Sequence, residues 1–157
     1  MHSNTTIVTQ FYQAFQQLDA AGMQACYDEN IVFNDPVFGL LNSQQTIAMW
    51  QMLCERAKDF TLEIGEIEII DDEYITCRWK ATYLFSQTGR RVTNNVKAFM
   101  RIQNGLITEH SDAFKFYTWS KQAFGLTGWL FGWSSFFHKK VQNKALHSLL
   151  KFMNKKL

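Results

Sequence analysis

An imidazole and a carboxyl group lie two residues apart in the stretch EHSDAF, which follows an Asn-Gly turn. These are His110 and Asp112. Side chains two apart on a strand point to the same face, and Phe114 continues that face. Such a pair can transfer protons if it lines a pocket, and the phenylalanine favours an apolar interior. The pair can also be a structural ion pair at the end of a sheet, and the local sequence leaves both interpretations open.

A second carboxyl group occurs in the stretch FNDPVFG. Asp35 lies at the end of a short predicted strand and immediately before Pro36, the only proline of the chain. Asp-Pro followed by glycine is common in turns, where the aspartate binds the backbone. Asp35 is therefore either a turn residue or a second proton-transfer group, and these alternatives also stay open.

Other kinds of chemistry lack their usual patterns. The four histidines do not cluster, and the sequence contains neither Cys-x-x-Cys nor His-Glu-x-x-His. A glycine-rich phosphate loop and a Gly-x-Ser-x-Gly elbow are also missing. The sequence thus predicts no metal site and no cofactor.

The three cysteines lie in apolar contexts without metal-type spacing, which favours reduced, buried thiols. The first residues lack the basic and apolar regions of a signal peptide. No apolar run reaches the length of about 18 residues that a membrane-spanning helix needs. We therefore expect a cytoplasmic protein.

Helical spacing of apolar residues dominates the first third of the chain, and alternation dominates the middle. The pattern predicts the order α-α-β-α-β-β-β-β-α. The predicted strands after the third helix are 60–69, 74–85, 91–103 and 106–117. Short turns join them, so we expect an antiparallel sheet in an α+β domain. Gly65 lies where the alternation changes phase, which predicts a β-bulge.

Aromatic residues are frequent, at 15% of the chain, and 46% of all residues are hydrophobic. They fill a core or wall a pocket for an apolar ligand. On the strand ITCRWKATYLF, Trp79 and Tyr83 share an apolar face, and Arg78, Lys80 and Thr82 share the other. Core packing is the simpler interpretation for most of the apolar face.

The charge is uneven along the chain. Residues 134–157 contain six lysines and no acidic residue, whereas the rest contains ten basic and fourteen acidic residues. The main body has no basic face, which argues against nucleic-acid binding. The stretch LTGWLFGWSSFF precedes a basic amphipathic helix. This helix either packs on the domain or a dimer mate, or contacts an anionic membrane surface.

The order of elements, with Asp-Pro after the first strand and EHSD after the Asn-Gly hairpin, resembles the nuclear transport factor 2-like superfamily over residues 5–117. GLITEHSDAF and WSKQAFG are similar to its SnoaL-like polyketide cyclase branch. The resemblance implies a cone-shaped, curved antiparallel sheet wrapped by three N-terminal helices around an apolar pocket. On this basis residues 1–125 form one domain, and residues 126–157 are a C-terminal amphipathic helical extension rather than an independent domain.

The resemblance also implies a site. Asp112 is the acid/base residue with His110 as its neighbour, and Asp35 is a second catalytic carboxyl group. The implied substrate-binding residues are Trp50, Trp79, Tyr83, Lys97, Phe99 and Phe114. Burial in an apolar cavity favours the neutral form of a carboxyl group, which suits proton transfer near neutral pH.

Two related branches fit less well. The ketosteroid isomerase branch has an oxyanion-hole tyrosine where this chain has Phe11, and its second acid falls near Lys97. Without these donors a steroid isomerase is not favoured. The limonene-epoxide hydrolase branch uses an Asp-Arg-Asp set. Asp35, Arg101 and Asp112 provide the residue types if Arg101 faces inward, which the sequence leaves open.

The sequence therefore predicts a protein that binds a small lipophilic molecule, with acid/base chemistry on a carbonyl or epoxide if it is an enzyme. The alternative is a non-catalytic ligand-binding or protein-interaction module, associated with a membrane surface through its basic tail. We also expect a homodimer that uses the outer sheet face around Arg78, Lys80 and Thr82, and no nucleic-acid partner.

Overall fold

The computed structural model describes residues 3–157 and confirms an α+β fold. Its elements in chain order are α1 (Ser3–Gln16), α2 (Ala20–Ala25), β1 (Tyr27–Asp35), β2 (Gly39–Leu41), α3 (Ser43–Arg56), β3 (Thr61–Ile69), β4 (Tyr74–Leu84), β5 (Arg91–Gln103), β6 (Leu106–Ala113), α4 (Phe116–Phe124), α5 (Leu126–Phe131) and α6 (Ser135–Lys155). The short strand β2 and the division of the C-terminal part into three helices were not predicted.

The six strands form one curved, open sheet in the order β2-β1-β6-β5-β4-β3. The expectation of a purely antiparallel sheet is wrong for one pair, because β1 lies parallel to β6 with Phe33 opposite His110. A parallel pair needs a long crossover connection. Here the connection contains α3 and the strands β3 to β5. The short turns between consecutive strands give no information about a pairing of strands so far apart in the sequence.

The predicted bulge at Gly65 is confirmed. The pairing of β3 with β4 shifts register between Ile64 and Ile67, on either side of the glycine. A Cβ atom at this position would lie 2.9 Å from the carbonyl oxygen of Arg78, closer than side chains tolerate. Glycine thus permits the close approach of the two strands, and the bulge bends the end of the sheet.

Strand β6 ends at Ala113, four residues before the predicted end at Tyr117. The aromatic alternation through Phe114 and Phe116 suggested a longer strand. Instead Phe116 begins α4, on which Trp119 and Ala123 are buried at helical spacing. A short aromatic run fits the period of a strand and the period of a helix equally well. The sequence pattern therefore did not determine where β6 ends and α4 begins.

Helices α1 and α3 supply much of the core that covers the inner face of the sheet, with Phe11, Phe15 and Trp50 among the buried residues. Helix α6 packs against α3, and its Leu149 and Phe152 belong to the same core. The apolar side of this basic helix therefore packs on the domain, which was one of the two alternatives left open. Contact of the helix with a membrane surface stays a prediction.

The three cysteines are unpaired; Cys26 and Cys77 are buried, and Cys54 is half-buried rather than buried. Among residues 3–157, no helix combines the length and the hydrophobicity that crossing a bilayer requires.

Candidate active site

A cavity of about 210 Å³ lies between the inner face of the sheet and helices α3 and α6. Most of its lining side chains are apolar or aromatic. The predicted site residues that border it are Asp35, Trp50, Trp79, Tyr83, Asp112 and Phe114. Two carboxyl groups from different strands therefore share one largely apolar space.

Asp35 ends β1, and its side chain organises the turn that follows. Its Oδ1 atom accepts hydrogen bonds from the backbone N–H groups of Val37 at 3.0 Å and Phe38 at 2.6 Å. Asp35 also borders the cavity. The turn interpretation and the pocket interpretation of this residue are thus compatible, because one side chain does both.

Burial raises the pKa of Asp35 from its ordinary value of 3.8 to about 7. The charge of Asp112 contributes to this rise of the pKa, while the backbone donors of Phe38 and Val37 oppose it. Desolvation dominates because the surrounding side chains exclude bulk water. A carboxyl group with this pKa exists in both protonation states near neutral pH and is suited to accept and donate a proton.

The pair His110 and Asp112 lies on the inner face of β6, as predicted from the alternation. His110 is 2% exposed and Asp112 is also buried. Nε2 of His110 lies 2.9 Å from Oδ1 of Asp112. His110 does not itself border the cavity. It lies behind Asp112, which does, so the histidine reaches the cavity only through its contact with the aspartate.

A chain of hydrogen bonds continues from His110 into the core. Nδ1 of His110 lies 2.8 Å from the hydroxyl oxygen of Tyr27, and that oxygen accepts a hydrogen bond from Nε1 of Trp50 at 2.9 Å. The indole N–H can only donate, so the Tyr27 hydroxyl is free to direct its own hydrogen to Nδ1. In the neutral imidazole, Nε2 then carries the hydrogen and donates a hydrogen bond to Oδ1 of Asp112. This chain fixes the histidine tautomer and the orientation of the carboxylate.

Sequence reasoning missed Tyr27. Tyr27 begins β1, where it pairs with Ile107 of β6. No local pattern marks the residue, because the contact with His110 depends on the parallel pairing of strands far apart in the sequence.

Lys97 and Phe99 do not border the cavity, and this part of the predicted site is corrected. On β5 the inward side chains are those of Val96, Ala98 and Met100, all buried. Lys97 and Phe99 alternate with them and point outward. Phe99 is 44% exposed, and the Lys97 ammonium lies 5.4 Å from its ring centroid. Their assignment to the pocket came from the family resemblance, whereas the alternation of apolar residues along β5 marks the opposite face as the buried one.

Arg101 also points outward. Its Nε donates to Glu73 at 2.7 Å and its Nη1 to Glu109 at 3.2 Å. Arg101 therefore cannot complete an Asp-Arg-Asp set with Asp35 and Asp112, and the question that the sequence left open is answered in the negative.

Tyr83 provides a hydroxyl group at the cavity. Its oxygen accepts a hydrogen bond from Nε1 of Trp119 at 3.0 Å. Burial raises the pKa of Tyr83, and the charge of Asp35 adds to this effect. The hydroxyl therefore stays protonated near neutral pH and can donate to an oxygen atom of a bound molecule.

Two buried polar atoms of the described core have no hydrogen-bond partner, the Tyr12 hydroxyl and Nε1 of Trp79. The two rings are neighbours, with centroids 6.1 Å apart. The indole approaches closely enough to influence the pKa of Tyr12, which burial raises, but without the geometry of a hydrogen bond. Within residues 3–157, no three histidine, cysteine or acidic side chains cluster as metal ligands would.

Comparisons with known proteins agree with this fold. The profile of the SnoaL-like domain family matches residues 8–110. An NTF2-like protein of unknown function from Burkholderia pseudomallei is 19% identical, with a TM-score of 0.68, over 78% of this chain and 98% of the other. A putative polyketide cyclase from Silicibacter sp. is 16% identical, with a TM-score of 0.64, over 78% and 96%.

An LEH-like epoxide hydrolase from M. tuberculosis is 20% identical, with a TM-score of 0.66, over 82% of this chain and 95% of that one. At these identities the structural likeness shows the fold alone. No match was found among curated proteins. The family profile spans well over half of the chain and includes β1 and most of the sheet. The structure also has the fold of the nuclear transport factor 2-like superfamily. The chain therefore belongs to the SnoaL-like domain family.

Proposed function

We propose that this protein binds a small lipophilic molecule in the cavity and performs cofactor-independent acid/base chemistry on its carbonyl or epoxide group. One observation carries the proposal: Asp35 and Asp112 border the same apolar cavity, and the pKa of Asp35 is raised to about 7. A general acid or base is most effective when its pKa lies near the working pH. The free cysteines fit a reducing cytoplasm.

Asp35 is the proton carrier in this proposal. For a carbonyl substrate, its carboxylate removes a proton from the carbon next to the carbonyl group, and the electron pair moves onto the oxygen. Asp35 then returns the proton at another atom of the same molecule. Burial keeps the neutral and charged forms close in free energy, so neither transfer is strongly uphill.

Tyr83 stabilises the developing negative charge. Because its oxygen accepts from Trp119, its own hydrogen can donate to the substrate oxygen. A fixed donor in a water-poor cavity stabilises an oxyanion more strongly than water does. In the isomerase branch the corresponding donor is a tyrosine at the position of Phe11, which has no hydroxyl group. Tyr83 supplies a hydroxyl donor in its place.

Asp112 is the second carboxyl group at the cavity, and His110 is its positioning residue. The hydrogen bond from His110 uses Oδ1 of Asp112, so Oδ2 is available to a bound molecule or to water. The charge on Asp112 also raises the pKa of Asp35. Asp112 therefore orients the substrate or activates water, and it tunes the proton carrier.

The alternative is a non-catalytic ligand-binding module. It is favoured by the hydrogen bonds that Asp35 makes to Val37 and Phe38, since these already give the residue a structural role. Under this alternative the cavity still binds a lipophilic molecule, but the carboxyl groups only hold it in place.

The experiment begins with the molecule that copurifies with the protein, extracted with organic solvent and identified by mass spectrometry. Binding and turnover are then measured for the wild type, Asp35→Asn and Asp112→Asn. For an enzyme, we expect Asp35→Asn to lower turnover by roughly 10²-fold or more with little change in affinity. Asp112→Asn should lower turnover as well. Binding without detectable turnover in the wild type would favour the module, and unchanged turnover in Asp35→Asn would exclude Asp35 as proton carrier.

A further inference from the structure

Residues 126–136 expose an unusual number of large apolar side chains, which we name the apolar patch. Its members are Leu126, Trp129, Leu130, Phe131, Trp133 and Phe136. Trp133 is 73% exposed and Phe136 is 78% exposed. Single exposed apolar residues are common on protein surfaces, but a contiguous run of this kind marks an interaction surface.

The packing of α5 explains why these side chains point outward. Its inner side is formed by Gly128 and by Gly132, which follows the helix. A Cβ atom at Gly128 would overlap the carbonyl oxygen of Ser120 in α4, and one at Gly132 would lie 3.1 Å from the ring of Tyr117. The Tyr117 hydroxyl also donates to the carbonyl oxygen of Trp129 at 2.8 Å. The two backbones are thus too close to admit large side chains between them, and the bulky residues face away from the domain.

Positive charge continues directly from the apolar patch. Lys139, Lys140 and Lys144 are exposed, and Lys140 and Lys144 lie one and two helical turns beyond Phe136 on the same side of α6. Residues 126–157 contain six lysines and no acidic residue. Within this segment the charge of these three lysines is therefore not balanced by neighbouring carboxylates.

We propose that the apolar patch and these three lysines form a docking surface for an anionic membrane. Tryptophan and phenylalanine insert into the interface between headgroups and acyl chains, and lysines bind lipid phosphates. The apolar face of α6 itself is not available, because Leu149 and Phe152 are in the core. The membrane contact is therefore made by α5 and the first turns of α6, rather than by the whole amphipathic helix.

A second copy of the chain is a poorer occupant. Two copies joined through the same patch would bring their lysines together, and like charges across an interface oppose association. A membrane carrying negative lipids satisfies both the apolar and the basic part of the surface. Helix α6, which carries the three lysines, also lines the ligand cavity with Val141 and Ala145. Docking of this surface on a membrane would therefore bring the cavity close to lipophilic molecules in the bilayer.

The test uses the full chain in cosedimentation with vesicles. Vesicles of equal parts phosphatidylcholine and phosphatidylglycerol should bind the wild type, and vesicles of phosphatidylcholine alone should bind it more weakly. Added salt should weaken the first interaction because it screens the lysines. Tryptophan fluorescence of the wild type should shift to shorter wavelength when the anionic vesicles are added. These measurements need no variant, so they decide the matter even if a variant fails to fold.

Variants separate the two parts of the surface. Trp133→Ser combined with Phe136→Ser should lower the partition coefficient by roughly tenfold or more on the anionic vesicles. Lys139→Gln combined with Lys140→Gln should lower it by a similar factor there. The matched control is Leu40→Ser, since Leu40 is 72% exposed but belongs to β2, and it should bind like the wild type.

Three results would overturn the proposal. The first is a wild type that does not bind the anionic vesicles. The second is a Trp133→Ser, Phe136→Ser variant that binds them as well as the wild type does. The third is light scattering that shows wild-type self-association, lost in that variant, without vesicle binding, which would assign the surface to a second copy of the chain.

Discussion

Replacing Tyr27 by phenylalanine removes one oxygen atom on which two buried groups depend. That oxygen accepts from Nε1 of Trp50 at 2.9 Å and contacts Nδ1 of His110 at 2.8 Å. All three residues are buried. The ring of phenylalanine fills the same space, so packing is kept and only the hydrogen bonds are lost.

The expected cost follows from the number of groups left without a partner. A buried donor or acceptor that loses its partner costs about 1 to 3 kcal/mol. With one donor and one acceptor affected, we expect Tyr27→Phe to lower the free energy of unfolding by about 2 to 6 kcal/mol. For a chain of this length the melting temperature should fall by roughly 5 to 15 °C.

Tyr12→Phe is the matched control. Tyr12 is also fully buried, but its hydroxyl has no hydrogen-bond partner. Removing it should leave stability unchanged or raise it by about 1 kcal/mol, because no partner is abandoned. Urea denaturation and thermal melting of both variants measure the difference. Equal losses for Tyr27→Phe and Tyr12→Phe would refute the claim that the chain from Trp50 to Asp112 is a hydrogen-bonded unit.

Three further predictions concern Asp35, α5 and assembly. Because folding raises the pKa of Asp35 from 3.8 to about 7, the folded state holds this proton more tightly and the unfolding free energy falls as pH rises between these values. Asp35→Asn removes this pH dependence. In urea titrations, the unfolding free energy of the variant relative to that of the wild type should therefore rise by about 2 to 3 kcal/mol between about pH 5 and pH 8. A difference between the two proteins that does not change with pH would contradict the raised pKa. Gly128→Ala should cost about 1 to 3 kcal/mol, because its Cβ has no room against α4, while Thr127→Ala at an exposed position should cost little. The outer sheet face, where Tyr74 and Phe99 are exposed, should form a dimer interface that buries at least about 1,000 Å². Light scattering at micromolar concentrations should then give the mass of a dimer, and the mass of a monomer would contradict this prediction.

The sequence predicted the parts of the site that depend on local periodicity. The placement of His110 and Asp112 on one inward face follows from a period of two, and the bulge at Gly65 follows from the change of phase. Trp79 and Tyr83 also share the inner face of β4. Each of these inferences needs only residues within one strand.

Features that depend on distant pairing were not predictable in this way. Tyr27 reaches His110 only because β1 lies parallel to β6, and no residue near Tyr27 encodes that pairing. Lys97 and Phe99 were assigned to the cavity from the family resemblance, whereas the buried residues of β5 alternate with them. The outward apolar side of α5 was likewise hidden, since Gly128 and Gly132 determine which side packs.

In the proposed function Asp35 is the proton carrier because burial in the apolar cavity, together with the charge of Asp112, raises its pKa to about 7. The most direct measurement is a carbon-13 NMR titration of the Asp35 carboxyl group, in the wild type and in Asp112→Asn. We predict a midpoint at about 7 in the wild type and a lower midpoint in Asp112→Asn, because the neighbouring charge is removed. A wild-type midpoint close to the ordinary value of 3.8 would contradict the account.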